Sequence, residues 1–269
     1  MLINGAPGNT INAEDRGLTY GDGVFRTLQM QSGRPVCWER QYAKLQRDCG
    51  TLKIPCPSAL VLFSELQQLG KTLPDGVAKI IITRGPSARG YAPQTQSETT
   101  RILSVTPLTP YPAEYSRQGV RMHACKIRLG HQPLLAGIKH LNRLENVLAA
   151  SELQGRDMAE GLLSDSSGYV IGGTRSNLFM LRGNILYTPN LSRCGVAGVQ
   201  RDRVMDWGKH HGVTCKVADL RLEELLQADE IFVVNSIFGL WPVCELSAYR
   251  RTTHPLAWKI QEWLKDEHH

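Results

Sequence analysis

The chain has 269 residues, of which 42% are hydrophobic, and its formal net charge is +6. This length allows one large or two modest domains with real cores, whereas the apolar windows are too short for a membrane-spanning helix. The basic residues do not form a stripe with interleaved aromatic side chains. We therefore expect neither nucleic acid nor a membrane as a partner.

Seven cysteines are scattered along the chain without a Cys-x-x-Cys pair, which indicates reduced thiols and neither a disulfide framework nor a metal site. The N-terminal residues have neither the basic region nor the long apolar region of a signal peptide, so we expect a cytoplasmic protein. Residues 115–144 include six Lys or Arg and no Asp or Glu. Where this segment lines a cleft, it favours an anionic small molecule.

Hydrophobic spacing predicts an α+β domain over residues 1–106. Its predicted strands are 2–3, 24–30, 77–83 and 102–106, and its predicted helices are 39–49 and 58–69. Three prolines follow, at positions 107, 110 and 112. Because proline fixes φ and lacks an N–H donor, they predict an inter-domain linker over 107–117.

A second domain is predicted over residues 118–269. Its predicted strands are 120–125, 161–164, 169–171, 177–181, 185–187, 213–217 and 230–234. Its predicted helices are one that starts just after Lys139, with apolar Leu141, Leu144, Val147 and Leu148, and then 199–211, 222–227 and 255–265.

Lys139 lies where an apolar segment meets a predicted helix, between Ile138 and Leu141. Partial desolvation there would disfavour the charged amine and lower the pKa of Lys139, as a Schiff-base lysine requires. The alternative is a surface lysine whose ammonium reaches water, which is the usual state of this residue type.

Three runs of sequence bear on this choice. They are Gly-Ile-Lys-His-Leu-Asn-Arg-Leu-Glu around Lys139, Arg-Gly-Leu-Thr-Tyr-Gly-Asp-Gly-Val-Phe at 16–25, and Ser-Asn-Leu-Phe at 176–179. In this order they resemble the fold type IV pyridoxal-phosphate enzymes, and within them the aminodeoxychorismate lyase group. The resemblance covers essentially the whole chain.

The resemblance implies a two-domain α+β enzyme, with a small N-terminal α/β domain and a larger C-terminal α/β barrel-like domain. It implies pyridoxal 5'-phosphate bound as an aldimine on Lys139, and a homodimer. The implied reaction converts 4-amino-4-deoxychorismate to 4-aminobenzoate and pyruvate, a step toward folate.

Cofactor-phosphate contacts are also implied by the resemblance. A glycine-punctuated loop, 194–198, leads into a predicted helix whose first amides form a possible anion site. In the family these amides correspond to Val199 and Gln200, and a second turn corresponds to Ser236 and Ile237. A family arginine is replaced by Lys44, which can neutralise a phosphate but lacks the two-point fork; the alternative is a solvated helix lysine.

Three further residues correspond to the substrate side of the lyases. Thr27 corresponds to a threonine beside the reacting substrate, although β-propensity alone also explains a threonine in a strand. Arg89 and Tyr91 correspond to a substrate-side loop, and an arginine suits a dicarboxylate because its planar fork pairs with a carboxylate.

Gly172 departs from the family, which has a glutamate there, hydrogen-bonded to the pyridine nitrogen of the cofactor. We expect this loss to reduce transamination more than lysis, because lysis ends in an aromatic product. Two alternatives remain: an aminotransferase acting on D-amino or branched-chain acids, and a non-catalytic degenerate homologue.

Overall fold

The computed structural model describes residues 1–93 and 98–266. Two compact units are present: unit 1 comprises Met1–Thr109 and Ile138–Asn142, and unit 2 comprises Pro110–Gly137 and the chain from Arg143 onward. The domain boundaries at 106 and 118 stay a prediction. Lys139, which we expected in the C-terminal domain, lies in the short segment that packs with unit 1.

Unit 1 is built on a six-stranded antiparallel sheet with the order β2-β1-β6-β5-β3-β4. Its strands are β1 (Leu2–Ile3), β2 (Ala6–Pro7), β3 (Gly23–Gln31), β4 (Arg34–Pro35), β5 (Gly76–Thr83) and β6 (Thr100–Thr106). Its helices are α1 (Arg16–Tyr20), α2 (Trp38–Thr51) and α3 (Ala59–Gly70).

The core of unit 1 forms between this sheet and helices α2 and α3. Alternate residues of β3 and β5 are fully buried and meet Leu45, Leu62 and Leu66 from the helices. Ser58 caps α3, since its hydroxyl accepts the Val61 amide at 3.4 Å. One face of β3 is therefore fixed against α2.

Unit 2 is built on a nine-stranded mixed sheet with the order β12-β11-β10-β13-β14-β7-β8-β9, and β15 pairs with β14. Its strands are β7 (Val120–Leu129), β8 (Glu160–Asp165), β9 (Val170–Gly173), β10 (Asn177–Arg182), β11 (Ile185–Pro189), β12 (Thr214–Ala218), β13 (Glu230–Asn235), β14 (Gly239–Leu246) and β15 (Tyr249–Arg250). Its helices are α4 (Ala113–Arg117), α5 (Leu144–Ser151), α6 (Val199–His210), α7 (Leu222–Leu225) and α8 (Pro255–Leu264).

The nine-stranded sheet curls, because β9 at one end of the order lies near β10 and β11. Its two sides bury separate clusters. One cluster, around Trp241 and Val233, fills the concave part with α7, and the other packs α6 and α8 against Phe179 and Phe232. Within residues 1–93 and 98–266, no helix has both the length and the apolar character needed to cross a bilayer.

Several elements differ from the sequence prediction. The short helices α1 and α4 were not predicted, and α4 lies within the predicted linker 107–117. No element was predicted for 239–246, where β14 occupies a central place in the sheet. The helix after Lys139 was predicted to include Leu141, which is wrong: α5 begins at Leu144, and Leu141 instead donates its amide to the Gly23 carbonyl at 2.9 Å.

Candidate active site

The backbone of Lys139 is attached to the edge of strand β3. The Phe25 amide donates to the Lys139 carbonyl at 2.9 Å, and the Leu141 amide donates to the Gly23 carbonyl at 2.9 Å. His140 forms a β-bridge with Val24 between these two bonds. The lysine is therefore held in strand-like register and not on the first turn of a helix.

A buried carboxylate holds the same segment from the α2 side. Asp48 is fully buried, accepts the Lys139 backbone amide at 3.0 Å, and forms an ion pair with Arg26, which is also buried. Removing one partner from a buried pair costs about 3–5 kcal/mol, since the other charge stays desolvated. The Arg26–Asp48 pair thus fixes the position of the Lys139 backbone.

The side chain of Lys139 is partly buried, and its Nζ lies 4.5 Å from the centroid of the Phe25 ring. Along β3 the residues Val24, Arg26 and Leu28 are buried, whereas Phe25 and Thr27 alternate with them and are partly exposed. Since side chains alternate across a strand, Phe25 and Thr27 share one face of the sheet. The Lys139 amine lies over that face, which a substrate can reach.

Lys44 is 7% exposed, so it is not the solvated helix residue of the alternative interpretation. It precedes Asp48 by four residues on α2, and residues spaced by four share a helix face. Lys44 therefore lies on the α2 face that also holds the Lys139 segment. A buried ammonium at this place suits an anionic ligand.

Arg89 and Tyr91 lie in the loop after β5, and both are exposed, Tyr91 by 85%. The Tyr91 ring packs on the Tyr20 ring, with the centroids 5.3 Å apart. Backbone atoms of this loop are bonded to a buried arginine, Arg16. The loop is thus exposed at its side chains and fixed at its backbone.

In unit 2, helix α6 begins at Val199 with Gly198 as the N-cap, and no described side chain caps its first turn. Asn177 fixes the preceding loop: its Nδ2 donates to the Val196 carbonyl at 2.7 Å, and its Oδ1 accepts the Gly198 amide at 3.0 Å. A Cβ at position 198 would lie 2.5 Å from that Oδ1, so only glycine fits. Val199 and Gln200 therefore begin a 12-residue helix whose first amides suit a phosphate.

The second predicted phosphate turn follows β13 and is shaped by Asn235. The Asn235 Oδ1 accepts the amides of Ile237 and Phe238, both at 2.8 Å, and its Nδ2 donates to the Arg175 carbonyl at 3.3 Å. The Ile237 amide thus already donates within the turn. An anion held there would share this N–H or use the Ser236 side of the turn.

Gly172 lies at the end of β9, where its φ is +156° and a Cβ would lie 2.8 Å from the Ser176 carbonyl oxygen. The fully buried carboxylate of Glu160 lies beside the turn that follows. It accepts the Gly161 amide at 2.9 Å, the Thr174 amide at 3.0 Å, the Thr174 hydroxyl, and the Ser176 hydroxyl at 2.9 Å. Glu160 is a structural residue of this turn, and position 172 carries no acid.

The donor groups of each unit suit a part of pyridoxal phosphate. Unit 1 presents the partly buried amine of Lys139, which suits the aldehyde, and the buried Lys44, which suits the phosphate. Unit 2 presents the first amides of α6, which also suit a phosphate, and its position 172 carries no carboxylate. The residues of the two units therefore suit covalent attachment and phosphate binding.

Comparison with known proteins shows the family of the chain. Residues 23–246 match the amino-transferase class IV family. The chain belongs to this family, and the predicted fold type IV architecture is confirmed.

The individual proteins to which the chain is similar include lyases and an aminotransferase. A crystal structure of 4-amino-4-deoxychorismate lyase from Pseudomonas aeruginosa is 44% identical, with a TM-score of 0.95 and 98% of each chain covered. The aminodeoxychorismate lyase of Vibrio harveyi is 36% identical over 91% of each chain. A D-alanine aminotransferase of Bacillus licheniformis is 27% identical, over 88% of this chain and 83% of that one.

Several supporting residues did not emerge from the sequence. Asp48 contacts a residue 91 positions away, and nothing in its local sequence indicates this. Asn177 lies in the Ser-Asn-Leu-Phe run and Asn235 precedes Ser236, but neither was assigned a role. An asparagine at a turn commonly bonds the local backbone, and this tendency could have identified Asn235. Asn177 bonds residues 19 and 21 positions away, which its local sequence does not indicate.

Proposed function

We propose that this protein is a pyridoxal-phosphate-dependent lyase that converts 4-amino-4-deoxychorismate to 4-aminobenzoate and pyruvate. The observation that carries the proposal is the amine of Lys139, partly buried above the sheet face that presents Thr27, on a backbone held by β3 and Asp48. The substrate is inferred from the lyases to which the chain is similar.

The reacting residues have separate roles. The cofactor, when bound, would supply an electron-accepting ring. Lys139 would hold the cofactor, and its amine would remove the proton from the amine-bearing carbon of the substrate. Thr27 would donate a proton to the oxygen of the departing pyruvate as the bond between that oxygen and the ring breaks, and the ring that remains is aromatic. Arg89 pairs with a substrate carboxylate, and Tyr91 lines the same loop.

The cofactor phosphate is assigned to Lys44, Val199, Gln200, Ser236 and Ile237. Burial of Lys44 and the uncapped start of α6 support this assignment. Gln200 and Val199 contribute backbone amides, which hold an anion without adding net charge. The turn at Ser236 depends on Asn235 for its shape.

We also propose a homodimer in the cytoplasm. Helix α5 presents three exposed apolar side chains, Leu144, Val147 and Leu148, at spacings of three and one. Apolar stripes of this kind mark protein interfaces. All seven cysteines are free thiols, as is usual in a reducing compartment.

The purified protein should release equal amounts of 4-aminobenzoate and pyruvate from 4-amino-4-deoxychorismate. Borohydride reduction followed by peptide mass analysis should place the pyridoxyl group on Lys139, and Lys139→Ala should abolish both results. Label on Lys79 or Lys126 would overturn the lysine assignment. Efficient amino transfer from D-alanine without lysis would favour the aminotransferase alternative, and a bound chromophore without either activity would favour the non-catalytic one.

A further inference from the structure

Arg16, at the start of α1, is nearly fully buried although it carries a charge, with an exposure of 3%. Its guanidinium donates Nη1 to the Gly90 carbonyl at 2.9 Å and to the Ser87 hydroxyl at 3.2 Å, and Nη2 to the Tyr91 carbonyl at 2.8 Å. These acceptors flank Arg89 on both sides. One side chain therefore holds the backbone of the loop that carries the proposed carboxylate ligand.

The fourth bond of Arg16 anchors it to the sheet. Its Nε donates to Asp22 Oδ2 at 2.8 Å, and Arg84 binds the same carboxylate through Nε at 2.7 Å and Nη2 at 3.1 Å. Arg84 in turn donates to the carbonyls of Leu52 and Lys53. Asp22 thus joins the loop-binding arginine to a rigid part of unit 1.

Aromatic contacts add a second support to the loop. The Arg16 guanidinium lies 4.8 Å from the centroid of the Tyr20 ring, which packs on Tyr91. The Tyr20 hydroxyl accepts the Gly90 amide at 3.3 Å. Both the amide and the carbonyl of Gly90 are therefore bonded to residues of α1.

We propose that Arg16 is a positioning residue that fixes the Arg89 loop and thereby sets the affinity for the carboxylate substrate. This inference rests on the role of Arg89 in the proposed function. Arg16 holds the chain on both sides of residue 89, through the Ser87 hydroxyl and through the carbonyls of Gly90 and Tyr91. These bonds fix the place from which the exposed Arg89 side chain extends. A directional pair with a carboxylate loses affinity when its guanidinium is free to move.

The planar fork of arginine is required at position 16. The guanidinium donates hydrogen bonds to Asp22, Gly90 and Tyr91, which lie in different directions from it. A single lysine ammonium cannot reach all three acceptors. Arg16→Lys keeps the charge opposite Asp22, and Arg84 still binds that carboxylate. The substitution therefore tests positioning without leaving an unpaired buried acid.

A matched control is Arg101→Lys in the same unit. Arg101 also pairs with a carboxylate, Glu65, at 2.8 Å, and among the described residues its side-chain bonds do not involve the 87–91 loop. The holoenzymes of both variants are compared with the parent by steady-state kinetics and by hydrogen exchange of peptides covering 85–91. Each substitution is also made in an Arg89→Ala background.

Arg16→Lys should accelerate exchange of the 85–91 amides and raise KM by about 5–10-fold with little change in kcat, and Arg101→Lys should do neither. Arg89→Ala should raise KM by about 30-fold or more, and adding Arg16→Lys to it should raise KM no further.

An unchanged KM in Arg16→Lys, or a full further increase in the Arg89→Ala background, overturns the proposal. An unchanged KM in Arg89→Ala, with faster loop exchange in Arg16→Lys, overturns the substrate role of Arg89 while leaving loop-holding by Arg16 intact.

Discussion

The backbone at Gly172 has a φ of +156°, and a Cβ there would lie 2.8 Å from the Ser176 carbonyl oxygen. The loss of an acid at this position therefore comes together with a conformation that disfavours any side chain. Glu160 is engaged by Thr174 and Ser176 and holds the turn in this shape. Restoring an acid at 172 thus requires the turn itself to shift.

The backbone conformation at Gly172 leads to one prediction about stability and one about transamination. Gly172→Ala should lower the free energy of unfolding by about 1–3 kcal/mol, which is the usual cost of a strained backbone position. Gly172→Glu should carry the same backbone cost and, relative to Gly172→Ala, should raise transamination proportionally more than lysis, since a carboxylate stabilises the protonated pyridine ring. Urea unfolding and side-by-side rates of the two reactions measure both effects.

The alanine variant is the control for strain. If it unfolds at the same urea concentration as the parent, the argument from the Ser176 contact is wrong. If the glutamate variant increases lysis strongly and leaves transamination unmoved relative to alanine, the argument about the electron sink is wrong.

Single residues differ in how far sequence predicts them. Lys139 and Gly172 were singled out because their neighbours in sequence form recognisable runs. Asp48 was not singled out, and Arg16 was noted only as part of the 16–25 run, without a role. Their partners lie 91 and 74 residues away and are brought close only by the packing of α2 and α1 on the sheet. The sequence around a residue does not indicate such long-range contacts.

Most elements followed from hydrophobic spacing, and the exceptions have identifiable causes. Strand β14 contains Pro242, which argues against a central strand. Pro242 lies opposite Phe232 and just before Val243, where pairing with β7 begins, so its missing N–H removes no bond to β7. Helix α5 was placed too early because Leu141 fits a helical period, yet pairing with Gly23 holds it in strand-like structure.

The start of α8 gives a prediction about pH. His254 is its N-cap and is fully buried, and desolvation by burial lowers the pKa of His254 from its ordinary value of 6.5, more than a backbone contact with Gln118 raises it. The unfolded chain therefore binds this proton first as pH falls. The stability contributed by neutral His254 is present above pH 6.5 and is lost as pH falls through the lowered pKa.

Urea unfolding between pH 7.5 and 5.5 should show this loss, with a slope of at most about 1.4 kcal/mol per pH unit for one proton. His254→Phe should flatten the curve relative to the parent, because the titrating ring is gone. His210→Gln, at an exposed histidine of α6, serves as the control and should keep the parent's slope. Parallel curves for the parent and His254→Phe would contradict the assignment.

Helix α5 carries the apolar surface that we propose as the homodimer interface. Its apolar residues Leu144, Val147 and Leu148 are 77%, 60% and 56% exposed. The inward side of the helix carries small or polar groups: Ala149 is fully buried, and Asn146 donates to the Thr174 carbonyl at 2.8 Å. The amphipathic pattern is real, and its apolar side is directed away from the core of unit 2.

A homodimer that buries this stripe should dissociate when the stripe is charged. Leu144→Asp combined with Leu148→Asp places two carboxylates in an interface, and each unpaired buried charge costs several kcal/mol, so the variant should sediment as a monomer at micromolar concentration. Leu60→Asp is the matched control, since Leu60 on α3 is 78% exposed, close to the 77% of Leu144, and lies outside the stripe. This control should sediment like the parent, because a charge added to solvated surface disturbs no contact. A parent protein that is already monomeric, or a stripe variant that remains dimeric, would show that α5 is not the dimer interface.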